Sequence, residues 1–203
     1  GTVRIGGGLH GQGALAHAQA TNIGKATISA DATNKGNGGT VAVWSDGNTR
    51  FAGNISARGG AKGGNGGQVE TSGHTLGVAP SARVDTSAPL GLTGDWLLDP
   101  ETITITANGQ DPYDSTNTAV SIDPSAITGA LNSTAVTLQA TGGSASITVN
   151  NDIEYSSGNA LSLLSQGIIT VNANIQNSGS GAVNLVAGWD TTSLDFSGTV
   201  DPG

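Results

Sequence analysis

The sequence predicts an all-β chain built as a solenoid, a stack of short-strand units each resting on the one before. Three observations predict it. Near the C-terminus, Ile147-Thr148-Val149-Asn150-Asn151-Asp152-Ile153 recurs as Ile169-Thr170-Val171-Asn172-Ala173-Asn174-Ile175, an offset of 22. Further toward the N-terminus, Asn37-Gly38-Gly39-Thr40-Val41 recurs as Asn65-Gly66-Gly67-Gln68-Val69, an offset of 28. Within the units apolar and polar residues alternate with period two over four or five positions, the pattern of a half-buried strand. A unit of 20–30 residues is too small to cover its own apolar face, so it must stack on a copy of itself. Seven to nine such units at the inter-strand spacing of about 4.8 Å make a rod of about 35–45 Å.

The elements follow in order. Gly1-Thr2-Val3-Arg4-Ile5 opens as a strand, with no secretory leader before it. If the protein is secreted, a mature or excised piece is expected. Ala26-Thr27-Ile28-Ser29-Ala30, Thr40-Val41-Ala42-Val43 and Ile55-Ser56-Ala57-Arg58 are the strands of the first units, and Arg83-Val84-Asp85-Thr86 falls one residue out of phase with the last of these. Glycine, Asn and Asp separate them, as tight turns require. Thr102-Ile103-Thr104-Ile105-Thr106 and Ala135-Val136-Thr137-Leu138 alternate in the same way. Between these two strands the pattern breaks. Residues 108–115 read as a polar protruding loop. Residues 123–131 read as a short helix, with Asp123 as cap, Pro124 in the first turn, and Ile127 and Leu131 on one face. The expected organisation is one domain. Units of about 28 residues fill 1–100, units of about 22 fill 101–203, and 107–131 is a loop and helix insertion forming a lid on one face. Small aliphatic residues should fill a narrow interior, which fits the presence of only three Trp, two Tyr and two Phe. Asn150 and Asn172 should stack as an amide ladder.

Composition narrows the function. Glycine occurs 33 times, about twice its ordinary share, yet the recurring Val, Ile and Leu and the sparse charge speak against disorder. The net charge is −8. Seven scattered Lys and Arg cannot form a stripe that tracks phosphates, so neither nucleic acid nor an anionic membrane is expected as partner. No apolar run approaches the roughly 20 residues of a membrane span. There is no cysteine, hence no disulfide or thiolate framework, which suits a chain that crosses an outer membrane unfolded.

The segment from Gly38 through Trp44-Ser45-Asp46-Gly47-Asn48-Thr49-Arg50-Phe51-Ala52-Gly53-Asn54-Ile55 to Gly60 closely resembles a signature of filamentous-haemagglutinin-like exoproteins of the two-partner secretion pathway. The resemblance continues through Gly66-Gly67-Gln68-Val69-Glu70-Thr71-Ser72-Gly73 and Val84-Asp85-Thr86-Ser87-Ala88-Pro89 to Leu97-Leu98-Asp99-Pro100, covering about the first half of the chain. The opening Val3-Arg4-Ile5-Gly6-Gly7 is similar too, and the second half matches more loosely. The resemblance implies a right-handed parallel β-helix, export through a dedicated outer-membrane partner, and an extracellular or cell-surface place on a Gram-negative-type bacterium. It further implies a role in adhesion or biofilm, with host or matrix glycans or proteins as ligands. The family's N-terminal secretion module is not visible, and the chain is far shorter than a typical full-length member.

Candidate sites are few. The carboxylates Asp46, Glu70, Asp85, Asp95, Asp99 and Glu101 read as dispersed, with no pair beside a base, so no catalytic residue and no enzyme is expected. His10, His17 and His74 lack metal-ligand spacing. Asp111, Asp114 and Asp123 match no calcium motif and read as solvated, so neither metal nor cofactor is expected. The glycine runs at 6–8 and 59–67 lack the Lys-Ser/Thr ending and helix of a phosphate loop, and read as turns. Trp44 and Trp189 are the candidate ligand-binding residues. Regular alternation turns Trp44 outward, where it could stack on a sugar, although packing is the reading the sequence favours for the tryptophans. The Thr row 102/104/106 reads as a face that does not recur from unit to unit. The expected function is therefore a stiff shaft within an adhesin. The alternative is a filament subunit stacking end to end through unpaired strand edges, and a polysaccharide-acting enzyme ranks third.

Overall fold

The computed structural model describes residues 1–107, 120–190, 194–195 and 199–200. The polar loop expected at 108–115, with Asp111 and Asp114, lies outside the described residues. Among the described residues strands predominate, with one α-helix, and the strands come in threes. The first three units are β1 (Thr2–Ile5), β2 (Ala20–Ile23), β3 (Thr27–Ser29); β4 (Thr40–Val43), β5 (Asn48–Phe51), β6 (Asn54–Ser56); and β7 (Gln68–Ser72), β8 (Thr75–Val78), β9 (Arg83–Asp85). The fourth is β10 (Asp95–Asp99), β11 (Thr102–Ile105) and the helix α1 (Pro124–Ala130). Then come β12 (Ala135–Ala140), β13 (Ser146–Val149), β14 (Ile153–Tyr155); β15 (Leu161–Ser165), β16 (Ile168–Val171), β17 (Ile175–Asn177); and β18 (Val183–Ala187). A short antiparallel pair, β19 (Leu194–Asp195) and β20 (Thr199–Val200), ends the described chain.

Each strand pairs in parallel with its counterpart one unit away. The first strands form one seven-stranded sheet in the order β1-β4-β7-β10-β12-β15-β18. The second strands form β2-β5-β8 and β11-β13-β16, and Ile122 bridges Val78 of the one to Ile105 of the other. The third strands form β3-β6-β9 and β14-β17. Sequence repeats have become register: Ile147 sits beside Ile169 and Val149 beside Val171, while Thr40 and Val41 pair with Gln68 and Val69. The Asn ladder forms as well, with Asn172 Nδ2 donating to Asn150 Oδ1 at 2.9 Å.

Period-two alternation sends one row of each strand inward. Val3, Val41, Val69, Trp96, Val136 and Leu161 follow one another across the first sheet, and Ile103, Ile147 and Ile169 across the second. These rows form one continuous apolar core. The interior is wider than small aliphatics alone would need. Trp96 and Phe51 are fully buried in it, edge to face at 6.1 Å, and the Trp96 Nε1–H is satisfied by Thr71 Oγ1 at 3.0 Å. Indole burial without that hydroxyl would leave a donor unpaired.

The expected helix is present, but it is not a lid. Pro124, Ala126, Ile127 and Ala130 are buried, and α1 lies against β9 and β14, in the place a third strand would take in that unit. Asp123 caps it: Oδ1 accepts the Ser125 N–H at 2.9 Å and the Ser125 hydroxyl at 2.7 Å. Asp123→Ala is expected to cost about 1 kcal/mol, read as a lower urea midpoint, while Asp123→Asn should keep most of the stability.

Two readings of the surface change. One position of the Thr row recurs: Thr104 pairs with Thr148 and Thr148 with Thr170, a column across three units, while Thr102 pairs with Ser146 and Ser146 with Ile168. The insertion between β11 and β12 hides this spacing in the sequence. The carboxylates are also less dispersed than their spacing suggests, because register brings several of them to one corner.

Candidate functional site

The corner in question joins the first-sheet strands to the second-sheet strands. Unit by unit it carries Trp44 and Asp46, then His74, then Asp99 and Glu101, then Thr141, which together line a groove of about 350 Å³. The second unit supplies Trp44 and Asp46 immediately after β4, and a polar turn follows each later first-sheet strand in the same place. The groove is internally paired. His17 Nδ1 lies 2.8 Å from Asp46 Oδ1, and Trp44 Nε1–H points to that same oxygen at 3.4 Å. His74 Nδ1 is 3.3 Å from Glu101 Oε2. The Thr141 hydroxyl donates to Asp99 Oδ1 at 3.2 Å.

Behind the groove lies Glu70, on the outward face of β7 and 1% exposed. The turn Leu9–Gly11 sits against this face, and the His10 N–H donates to Glu70 Oε2 at 2.8 Å. Glu70 Oε1 has no hydrogen-bond partner among the described residues. Burial raises the Glu70 carboxyl above its ordinary range, against the opposing pull of that N–H. Asp99 pairs in register with Ser72, which places it diagonally across from Glu70. Burial first, and then the charge of Glu70, push Asp99 up to about 6, although the Thr141 hydrogen bond and His10 pull the other way. The result is two neighbouring carboxyl groups that hold protons more tightly than free ones. Among the described residues, no three His, Asp or Glu side chains converge as metal ligands.

The other sequence-selected residues fall elsewhere. Trp44 is half-buried rather than turned out to solvent, because the backbone at Gly7 and Gly11 packs against its ring. Trp189 is 6% exposed, its backbone N–H bonded to Ser165 O at 2.9 Å and its Nε1 without a partner among the described residues. Asp85 bonds its own turn through the Ser87 N–H at 2.9 Å. Asp95 lines a second, polar groove of about 520 Å³ with Thr40 and Gln68, and burial pushes it up to about 6. The glycine run at 59–67 stacks on the turn before it, with Gly60 N–H donating to Gly36 O and Lys62 N–H to Asn34 O. The sequence reading missed the meeting of Glu70 with Asp99. The 28-residue repeat read from the sequence could not have found it, because Glu70 and Ser72 pair with Leu97 and Asp99 at an offset of 27, and a slip of one residue reverses the face. Compared with protein-family models and with curated proteins, the chain has no match.

Proposed function

We propose that the parallel sheets wind as a right-handed β-helix, and that the chain serves as a stiff shaft within a large secreted bacterial adhesin. The observation that carries this reading is the register, kept in parallel across seven first-sheet strands with second and third strands stacked beside them. Right-handedness follows from the strong chirality preference of parallel crossovers. Stacking at the inter-strand spacing makes a rod about 30 Å long, stiffened by cross-unit pairs such as Arg58 on Asp31 at 2.8 Å. The resemblance to filamentous-haemagglutinin-like exoproteins supports the extracellular role, the outer-membrane secretion partner and the place in attachment or biofilm. The internally paired groove suits a passive spacer better than an enzyme.

Two measurements test the reading. Cysteines placed at Thr148 and Thr170, which register sets side by side in neighbouring units, should crosslink on oxidation, and failure to crosslink would refute the stacking. Antibodies raised against the chain should label intact source cells, and labelling only after permeabilisation would refute the surface role. The filament alternative draws on Val183 and Leu185, inward-row residues of β18 that are 36% and 44% exposed. Electron microscopy of the isolated chain separates the two, since fibres favour the filament and single particles the shaft.

A further inference from the structure

We propose that Glu70, Ser72, Asp99 and Gln139 form a calcium site on the outward face of the first sheet. The inference is independent of the shaft role. Register gathers these residues from three successive units. Asp99 pairs with Ser72, and Glu70 lies two residues before Ser72 on the same face of β7. Gln139 follows Leu138, the register partner of Leu98, so it carries the row into the next unit. Asp99 thus has Ser72 on one side and Gln139 on the other, each about 4.8 Å away at the backbone.

What this patch leaves unsatisfied is oxygen. Glu70 is 1% exposed, Ser72 is fully buried and Gln139 is 7% exposed. Glu70 Oε1, Ser72 Oγ and Gln139 Oε1 have no hydrogen-bond partner among the described residues. Buried polar atoms are nearly always bonded, so three orphans in one row call for a ligand. Each carboxylate gives one oxygen to a donor and keeps the other: Glu70 Oε2 accepts the His10 N–H, and Asp99 Oδ1 accepts the Thr141 hydroxyl. A water molecule would fill an orphan but leave two buried carboxylates facing each other. A divalent cation answers the orphan oxygens and the charge together. Carboxylate, hydroxyl and amide oxygens are the ligands of a hard cation, and calcium takes about six to eight of them in flexible geometry. Magnesium keeps several waters in a near-ideal octahedron, which a patch covered by the Leu9–Gly11 turn suits poorly. Only two of the four side chains are carboxylates, consistent with the absence of three converging His, Asp or Glu among the described residues. An ion here ties the third, fourth and fifth units together.

The experiment titrates calcium chloride into the chelator-treated chain at pH 7.5 and follows the heat of binding and the urea midpoint. Terbium luminescence excited through tryptophan is the third readout. Trp44 follows Val43, the partner of Thr71, and so stands beside Ser72 as the nearby indole. Binding should fall in the range of extracellular calcium modules, about 0.1–1 mM. At 10 mM calcium the folded-to-unfolded ratio should then rise about ten- to hundredfold. Glu70→Gln and Asp99→Asn keep the acceptors for His10 and Thr141, so both should fold, yet each should lose the calcium response and the terbium emission. Asp85→Asn, whose carboxylate serves its own turn, should keep both. No heat with an unmoved midpoint in the wild-type chain overturns the proposal. So does a calcium response that survives in Glu70→Gln and Asp99→Asn, or an equal response to magnesium.

Discussion

Gly67→Ala is expected to lower the unfolding free energy by about 3 kcal/mol, seen as a urea midpoint lower by about 1 M. The reason is the corner where each unit ends and the next begins. Gly39, Gly67 and Gly94 stack there at successive levels. In its own unit each donates its N–H back to Ala30, Ala57 or Thr86, and its carbonyl accepts from the next level, from Gln68, Asp95 or Ala135. A methyl group on Gly67 would stand 2.0 Å from Gly39 O, and one on Gly94 would stand 1.9 Å from Gly67 O. Both neighbours are backbone, so no side-chain rotation relieves the overlap. The corner must open and its hydrogen bonds go with it. Gly143→Ala is the control. No atom lies within 4 Å of its added carbon, and the change should stay within about 0.5 kcal/mol. An unchanged midpoint for Gly67→Ala would mean the units do not close at this corner.

That column was half legible. The 28-residue offset places Gly38-Gly39 on Gly66-Gly67 in the sequence. Gly94 escaped because Pro89-Leu90-Gly91-Leu92-Thr93 before it lacks the Asn-Gly-Gly run that marks the earlier two. The same division runs through the molecule. Strand register between β13 and β16 was readable, because successive units there contain nothing but strand and turn. The Thr104–Thr148–Thr170 column was not, because the insertion carrying α1 separates its first two members. Trp96 packs in the core as the sequence favoured for the tryptophans, but its partner was not legible, since Thr71 in the unit below accepts its N–H. Meetings across units need register, face and diagonal together. A repeat supplies the first, alternation the second, and only the fold supplies the third.

Glu70 and Asp99 are such a diagonal meeting, and they predict an unusual pH response. Acidification from pH 8 to pH 5 should make the protein more stable. The raised carboxyls bind protons more tightly when folded than when unfolded: Asp95 and Asp99 are pushed up to about 6, and Glu70 is raised as well. Between about pH 4 and 6 the folded chain therefore holds more protons than the unfolded chain, and stability falls as pH rises through that window. Their contribution is complete below the unfolded range, near 4, and is lost above about 6. For the two aspartates, both half-buried and both discounted for solvent screening, it amounts to about 3 kcal/mol. At pH 5 about half of it is realised, so the urea midpoint there should exceed that at pH 8 by about 0.5 M. Asp99→Asn keeps an acceptor for Thr141 while removing the charge that faces Glu70. It should raise the midpoint at pH 8 and flatten the slope between 5 and 8. Glu70→Gln should act in the same direction, since its amide oxygen can still accept the His10 N–H. A wild-type midpoint that falls on acidification would show that neither carboxylate is as starved of solvent as its place beneath the Leu9–Gly11 turn requires.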